Sequence, residues 1–424
     1  MIRTTPSLFA ALAFAVALSG QPALAQRPSP LPAEALVDVA DAGKVVWLKK
    51  NVVAKGPVTG GLKFDLPREF FTSKLVLLGE SHGSAAPHVV DLELLTLLNA
   101  RAGVRDYLIE ADPLQAASLN HYLATGDEKA LDAVFHHWRD VFTQWGSQAY
   151  RDKVIGVRKL NMKLPASRRV RFHGLDAIQD WGRLAAWLAS AGAPIDATAL
   201  AAAKAGGDKA KLALAALAAV KPSGALASEL RATLQMQANG MKREPTIFGT
   251  YERLVQGGAL GTRPAYGMWG IFHVLQQPMK DRTPPFAALV RASKLPASKN
   301  LQSIVLLSLD SAVQVPAPLP GGTKRLRMTE FNVDGPLVKV SGSSTLRAAS
   351  EAGQVRVFRL GAPGSPFNGS FDFMDVRTSI NQDLRPADPR SRSTDIAQYV
   401  GVYRGSDWAK PLETVRKVRV ESIF

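Results

Sequence analysis

Cysteine is missing from all 424 residues, which removes disulfides, thiolate nucleophiles and cysteine-based metal sites at once. Past the first 25 residues no apolar run is long enough to span a bilayer, so no transmembrane segment is expected. His-Glu-x-x-His, a P-loop and Gly-x-Gly-x-x-Gly are all absent, which excludes the common zinc-protease, nucleotide and dinucleotide patterns. Acidic residues are few: 36 Asp and Glu face 52 Lys and Arg, for a formal net charge of +16. The basic residues are spread along the whole chain. They read first as a solubility and surface property, with electrostatic association with an anionic envelope surface as the binding alternative. No nucleic-acid motif accompanies them, and no nucleic-acid partner is expected.

What is present begins with an export signal. Arg3 gives a positive start, Leu8 to Leu18 a short apolar core, and Ala23-Leu24-Ala25 a small-x-small cleavage site. Residues 1–25 therefore read as a cleavable signal peptide, and the mature protein as periplasmic or secreted. Residues 26–65 read as a leading segment with one helix. Residues 66–340 read as an α/β domain, a central mostly parallel sheet with helices on both faces. An Ala-rich helical insertion is expected at 184–245, broken by Gly206-Gly207 and Pro222-Ser223-Gly224. From 341 to 424 the chain is Gly-, Ser- and Pro-rich. It reads as a partly irregular extension with one strand at Val355 to Leu360, and 380–410 as surface or tail.

The informative pattern lies at the carboxyl end of each expected strand. Leu75-Val76-Leu77-Leu78 runs into Gly79-Glu80-Ser81-His82-Gly83, and Tyr107-Leu108-Ile109 into Glu110-Ala111-Asp112. Val170-Arg171-Phe172 runs into His173-Gly174-Leu175-Asp176. The strand at Ala265 to Trp269 runs into Gly270-Ile271-Phe272-His273, and Ile304 to Leu309 is a fifth strand. In parallel sheets the crevice at the carboxyl ends of the strands is where ligands bind. Four strands delivering Glu, His and Asp to that edge supply acid–base or metal-assisted chemistry.

Within that set His82 is expected to be the base. It lies just before a helix starting near Pro87, where a helix N-terminus disfavours the protonated imidazole. Glu80 is placed to orient His82 or a water, Glu110 and Asp112 to form a second acid–base pair or counter-charges, and His273 to donate to an oxyanion. Each has a plainer alternative. Asp112 before Pro113 suits a helix cap, and His173 suits packing in the core. His121 and the His136-His137-Trp138 run read as packing or solvated faces.

From Leu78 to Gly83 the sequence resembles the erythromycin esterase-like family, in a superfamily with ChaN-like haem-binding and Tiki proteins. Further segments match in order: Tyr107 to Asp112, Leu119 to Gly126, Val170 to Asp176, Arg243-Glu244, and Tyr266 to Val274. The spacing Glu80-Ser81-His82 is one residue shorter than in the macrolide esterases, and Gly270 stands where they carry a second histidine. The resemblance implies a hydrolase in which a histidine activates water on an ester, lactone or amide of a small molecule. It gives His82, Glu80, Glu110 and His273 the catalytic roles, with His88, Asp112, His173, Asp176 and Arg243 around the substrate. No cofactor is expected on this reading. The ChaN-like alternative implies a bound haem or iron compound. The Tiki-like alternative implies a peptidase with a divalent metal on Glu80, His82, Glu110 and His273.

Overall fold

The computed structural model describes residues 38–412, apart from 221–222, 261–262, 320–321 and 380–382; the expected signal peptide lies outside the described residues. In chain order the elements are α1 (Ala42–Lys50), β1 (Val52–Pro57), β2 (Lys63–Phe64), β3 (Leu75–Glu80), α2 (Ala86–Ala102), β4 (Asp106–Ile109), α3 (Pro113–Thr125), α4 (Glu128–Asp140), α5 (Gln148–Met162) and β5 (Arg171–Gly174). Next come α6 (Trp181–Ser190), α7 (Ala197–Ala202), α8 (Gly206–Val220), α9 (Ala225–Ala238), α10 (Arg243–Gln256), β6 (Ala265–Gly270), α11 (Ile271–Val274), α12 (Phe286–Ala292) and β7 (Leu301–Leu309). The chain continues through β8 (Val313–Leu319), β9 (Gly322–Met328), β10 (Val338–Val340), α13 (Ser343–Ala349), β11 (Gln354–Arg359), β12 (Val376–Thr378), α14 (Ser393–Ile396) and β13 (Tyr399–Arg404).

Nine strands form one sheet in the order β2-β1-β11-β13-β7-β3-β6-β4-β5. From β13 to β5 every neighbouring pair is parallel, while β11, β1 and β2 join antiparallel at one side. Strand β3 shows why the sheet is buried on both sides. All six of its residues are buried. Side chains alternate across a strand, so Leu75 and Leu77 enter one core and Val76 and Leu78 the other. Helices α10 to α12 cover the first face, with Ile247, Tyr251, Val274 and Phe286 in its core. Helices α2 to α5 cover the second, with Val90, Leu94, Leu119, Trp138 and Val154. The expected α/β class holds, and no described helix is long and apolar enough to cross a membrane.

Three expectations need correction. The insertion is smaller than 184–245: α6 to α9 close their own core around Leu184, Leu188, Leu217, Leu230 and Leu234, but α10 packs on the main sheet. The leading segment is more than one helix, because β1 and β2 are strands of the central sheet. Of the stretch 380–410, expected as surface or tail, the described residues 383–410 are not a tail. They hold β13, which lies between β7 and β11 and pairs with both.

Candidate active site

Four strands of the parallel region end at one place. Glu80 is the last residue of β3, and Glu110 comes directly after β4. Asp176 lies two residues past β5, and His273 is in the short helix after β6. The alternation of the strands sends the two glutamates to opposite faces. Glu80 continues the row of Val76 and Leu78 towards α2 and α5, while Glu110 continues that of Leu108 towards α10 and α11. His82, in the loop after β3, stands between them.

The Nδ1 of His82 is 2.9 Å from Glu80 Oε1, and its Nε2 is 3.8 Å from Glu110 Oε2. That Nε2 has no hydrogen-bond partner, although His82 is only 5% exposed. The ring meets Trp145 edge-on, with centroids 5.8 Å apart, and Gln144 Nε2 donates to the His82 carbonyl at 3.1 Å. Gly270 gives the imidazole its room, since a Cβ there would lie 2.8 Å from His82 Nε2. Burial lowers the pKa of His82, but the hydrogen bond and charge of Glu80 and the charge of Glu110 more than offset it, so the imidazole is more basic than usual. This corrects the expectation of a base weakened by the helix N-terminus: two buried carboxylates outweigh it. Burial also raises the pKa of Glu80, yet His88, His82 and Lys153 together hold it below its ordinary value.

On the other side Arg243, at the start of α10, joins the acids. Its Nη2 is 2.7 Å from Glu110 Oε1 and 2.6 Å from Asp176 Oδ2, and its Nε donates to Asp176 at 3.0 Å. His273 Nε2 is 3.2 Å from Glu110 Oε1, and its Nδ1 is 2.8 Å from Glu244 Oε1. Burial disfavours its charge, but Glu244 and Glu110 raise its pKa to about 10, so His273 is an imidazolium at neutral pH. Each of its ring nitrogens lies within 3.2 Å of a carboxylate oxygen, although Nδ1 makes no hydrogen bond. Glu110 is held well below its ordinary pKa because His273 and Arg243 outweigh its burial. Among the described residues no three His, Asp or Glu side chains present their donors as a metal site would. The candidate donors are instead spent on one another, and the Arg243 guanidinium lies among them, so this set does not fit a dication.

The structure therefore brings together Glu80, His82, Glu110, His273, Asp176 and Arg243. Three other candidates stand apart from this cluster's open side. His173 is on edge strand β5, with Nε2 2.9 Å from Asp106 Oδ1; its ring thus reaches back to the first residue of β4, where Arg171 also meets Asp106. Asp112 caps α3 in a reciprocal capping box with Gln115 and accepts from the backbone N–H of Gln179 and Asp180, each at 3.2 Å. His88 is buried on the far side of Glu80, stacked on Tyr150 at 5.0 Å. Burial drives its pKa down to about 4 despite Glu80, so it is neutral.

No protein-family model matches the chain, and no curated protein matches its sequence. Solved structures do match. A protein from Bacillus cereus is 12% identical with a TM-score of 0.56, covering 88% of this chain and 99% of that one. A succinoglycan biosynthesis protein is 11% identical with a TM-score of 0.59, covering 87% of this chain and 98% of that one. A histidine-to-asparagine mutant of erythromycin esterase EreC, in its open conformation, is 13% identical with a TM-score of 0.55, covering 81% of this chain and 93% of that one. This chain shares the fold of an erythromycin esterase. At such identities the likeness is of fold alone.

Several site residues leave little trace in the sequence. Glu244 is signalled only by its place next to Arg243, while Gln144 and Trp145 come from the loop between α4 and α5. The segment Gly79-Glu80-Ser81-His82-Gly83 also spells Gly-x-Ser-x-Gly, a pattern that in a serine hydrolase sets the serine in a sharp, strained turn within reach of a histidine. Among the described non-glycine residues, positive φ occurs only at Phe142, Asp281, Asp310 and Phe373, so Ser81 is not strained in this way. Nor does either ring nitrogen of His82 bond to it: one faces Glu80 and the other has no partner.

Proposed function

We propose that this chain is an exported hydrolase that cleaves an ester, lactone or amide of a small molecule with a water activated by His82. The observation that carries the reading is the Glu80–His82 pair. Glu80 takes up Nδ1–H and leaves the Nε2 lone pair unpartnered, the arrangement a general base needs. Nε2 removes a proton from water as the oxygen bonds to the carbonyl carbon; the resulting imidazolium then returns the proton to the leaving oxygen or nitrogen. The developing oxyanion needs a donor. Arg243 supplies one. Its Nε and Nη2 are held by Asp176 and Glu110, while its Nη1 lies 3.3 Å from His273 Nε2, a nitrogen that is itself a donor when His273 is an imidazolium. The Nη1 hydrogens are thus left for a ligand, and Arg243, 31% exposed at its side chain, is the most open member of the cluster. The shared fold with an erythromycin esterase supports an ester or lactone as the first substrate class to try.

The test is hydrolysis of a panel of chromogenic esters and macrolactones by the wild type and His82→Ala, with and without EDTA. Wild-type turnover is expected to fall about 10²- to 10⁴-fold in the variant, the range of a general base, and to ignore the chelator. Because the pKa of His82 is raised above the ordinary histidine value of 6.5, kcat/KM should rise with pH through a midpoint above that value. Turnover that persists in His82→Ala would sink this assignment.

A further inference from the structure

On the sheet face that receives Glu80, four buried side chains form a closed polar group that no step above uses. Lys153 of α5 places Nζ 2.8 Å from Asp91 Oδ2 and 3.2 Å from the Tyr107 hydroxyl. The hydroxyls of Tyr107 and Tyr266 each donate to Asp91 at 2.7 Å. Lys153 and Asp91 are buried together, at 3% and 0% exposure. The contact does not stop there. Lys153 Nζ stands 3.9 Å from the centre of the Tyr150 ring, Tyr150 stacks on His88, and His88 adjoins Glu80 electrostatically. Contact thus runs from Lys153 through Tyr150 to His88, whose charge in turn acts on the carboxylate that orients the base.

Removing an ammonium and a carboxylate from water is costly, and a packed apolar group of the same volume often serves stability as well or better. A buried pair beside a reactive carboxylate therefore points to a role in that carboxylate's geometry and charge. We propose that Lys153, anchored by Asp91, is a positioning residue for the Glu80–His82 pair: it fixes Tyr150 and His88 as the wall behind Glu80 and supplies the permanent positive charge on that side. His88 lowers the pKa of Glu80 most, but it is neutral above about pH 4, and Lys153 lowers that pKa as well. The groups that act on Glu80 are His82 beside it, His88 from α2, Lys153 and Tyr150 from α5 and Tyr403 from β13, with Asp91 paired to Lys153 and Glu110 on the far nitrogen of His82. Of these, Lys153 and Asp91 are the pair whose charges can be changed without touching a site nitrogen or oxygen.

This inference deepens the hydrolase reading and depends on it only for its kinetic readout. The experiment is a pH titration of the Glu80 side-chain carbon by NMR in the whole protein, with the resonance assigned by Glu80→Gln. Lys153→Met should move the Glu80 midpoint up, since a positive charge that favours the carboxylate is lost. Asp91→Asn, which removes the opposing anion, should move it down. Lys153→Arg should leave it close to the wild-type value. The acid limb of ester hydrolysis should shift in the same two directions. Loosened packing alone would not produce shifts of opposite sign. A midpoint that stays put in both variants, or moves the same way in both, overturns the proposal. Should Lys153→Met fail to fold, Asp91→Asn against Lys153→Arg decides it. A wild type that hydrolyses nothing would defeat the hydrolase reading, while the carboxyl titration would still judge Lys153.

Discussion

The two histidines of the site differ in what their nitrogens face. His82 has one nitrogen fixed and one open, so it can accept and return a proton. His273 has a carboxylate oxygen within 3.2 Å of each nitrogen, against 3.8 Å at His82 Nε2, and its charge holds Glu110 and Glu244 in place. The linkage has a definite sign. A histidine at 6.5 when unfolded and about 10 when folded contributes stability that is complete below pH 6.5 and is lost as pH rises through about 10. Wild-type stability in urea should therefore decline across that window, and His273→Gln, less stable at neutral pH, should show a flatter decline. Equal slopes in the two proteins would contradict the ion-pair assignment. At this scale the sequence is legible where a strand stops abruptly. Glu80, Glu110, Asp176 and His273 each come after a short apolar run, so their convergence can be read from the edge of a parallel sheet. Lys153 and Asp91 cannot be read that way, because they sit inside helices, where a charge normally faces solvent.

Among the elements, α3 illustrates how one residue serves two joints. Asp112 satisfies the N–H of Gln115 at the start of α3 and those of Gln179 and Asp180 leading into α6. Burial raises its pKa to about 6 in spite of those bonds, so the carboxylate is held there against a desolvation penalty. Asp112→Ala should cost about 1–3 kcal/mol, a lost cap plus backbone donors left unpaired. It should also speed amide exchange at the start of α6 before the sheet is affected; uniform exchange across the protein would argue against a local joint. The strands with continuous apolar runs, β3, β4, β6 and β7, are readable from composition. Strand β13 is not, and Gly401 shows why. A glycine inside a short segment reads as a break, but here a Cβ would lie 2.3 Å from Leu306 of β7. The missing side chain permits close approach between neighbouring strands.

For the whole molecule the decisive fact is the place of β13 between β7 and β11. A chain cut after Gln398 loses a central strand and strips both neighbours of their partners. It should give no cooperative thermal transition and should partition into the insoluble fraction, whereas removal of a surface tail would leave both properties unchanged. The same position has a consequence for order in time. Until Arg404 has left the ribosome, β7 presents a bare parallel edge, and β11 and β1 have no attachment to the rest of the sheet. The loop that carries His82 waits as well, because Gly83 accepts a hydrogen bond from Ala409. Synthesis must therefore pass Ala409 before either the sheet or the site can close. A sheet completed so late leaves its open strand edge exposed through most of synthesis, the state in which a chain is most prone to pair with another.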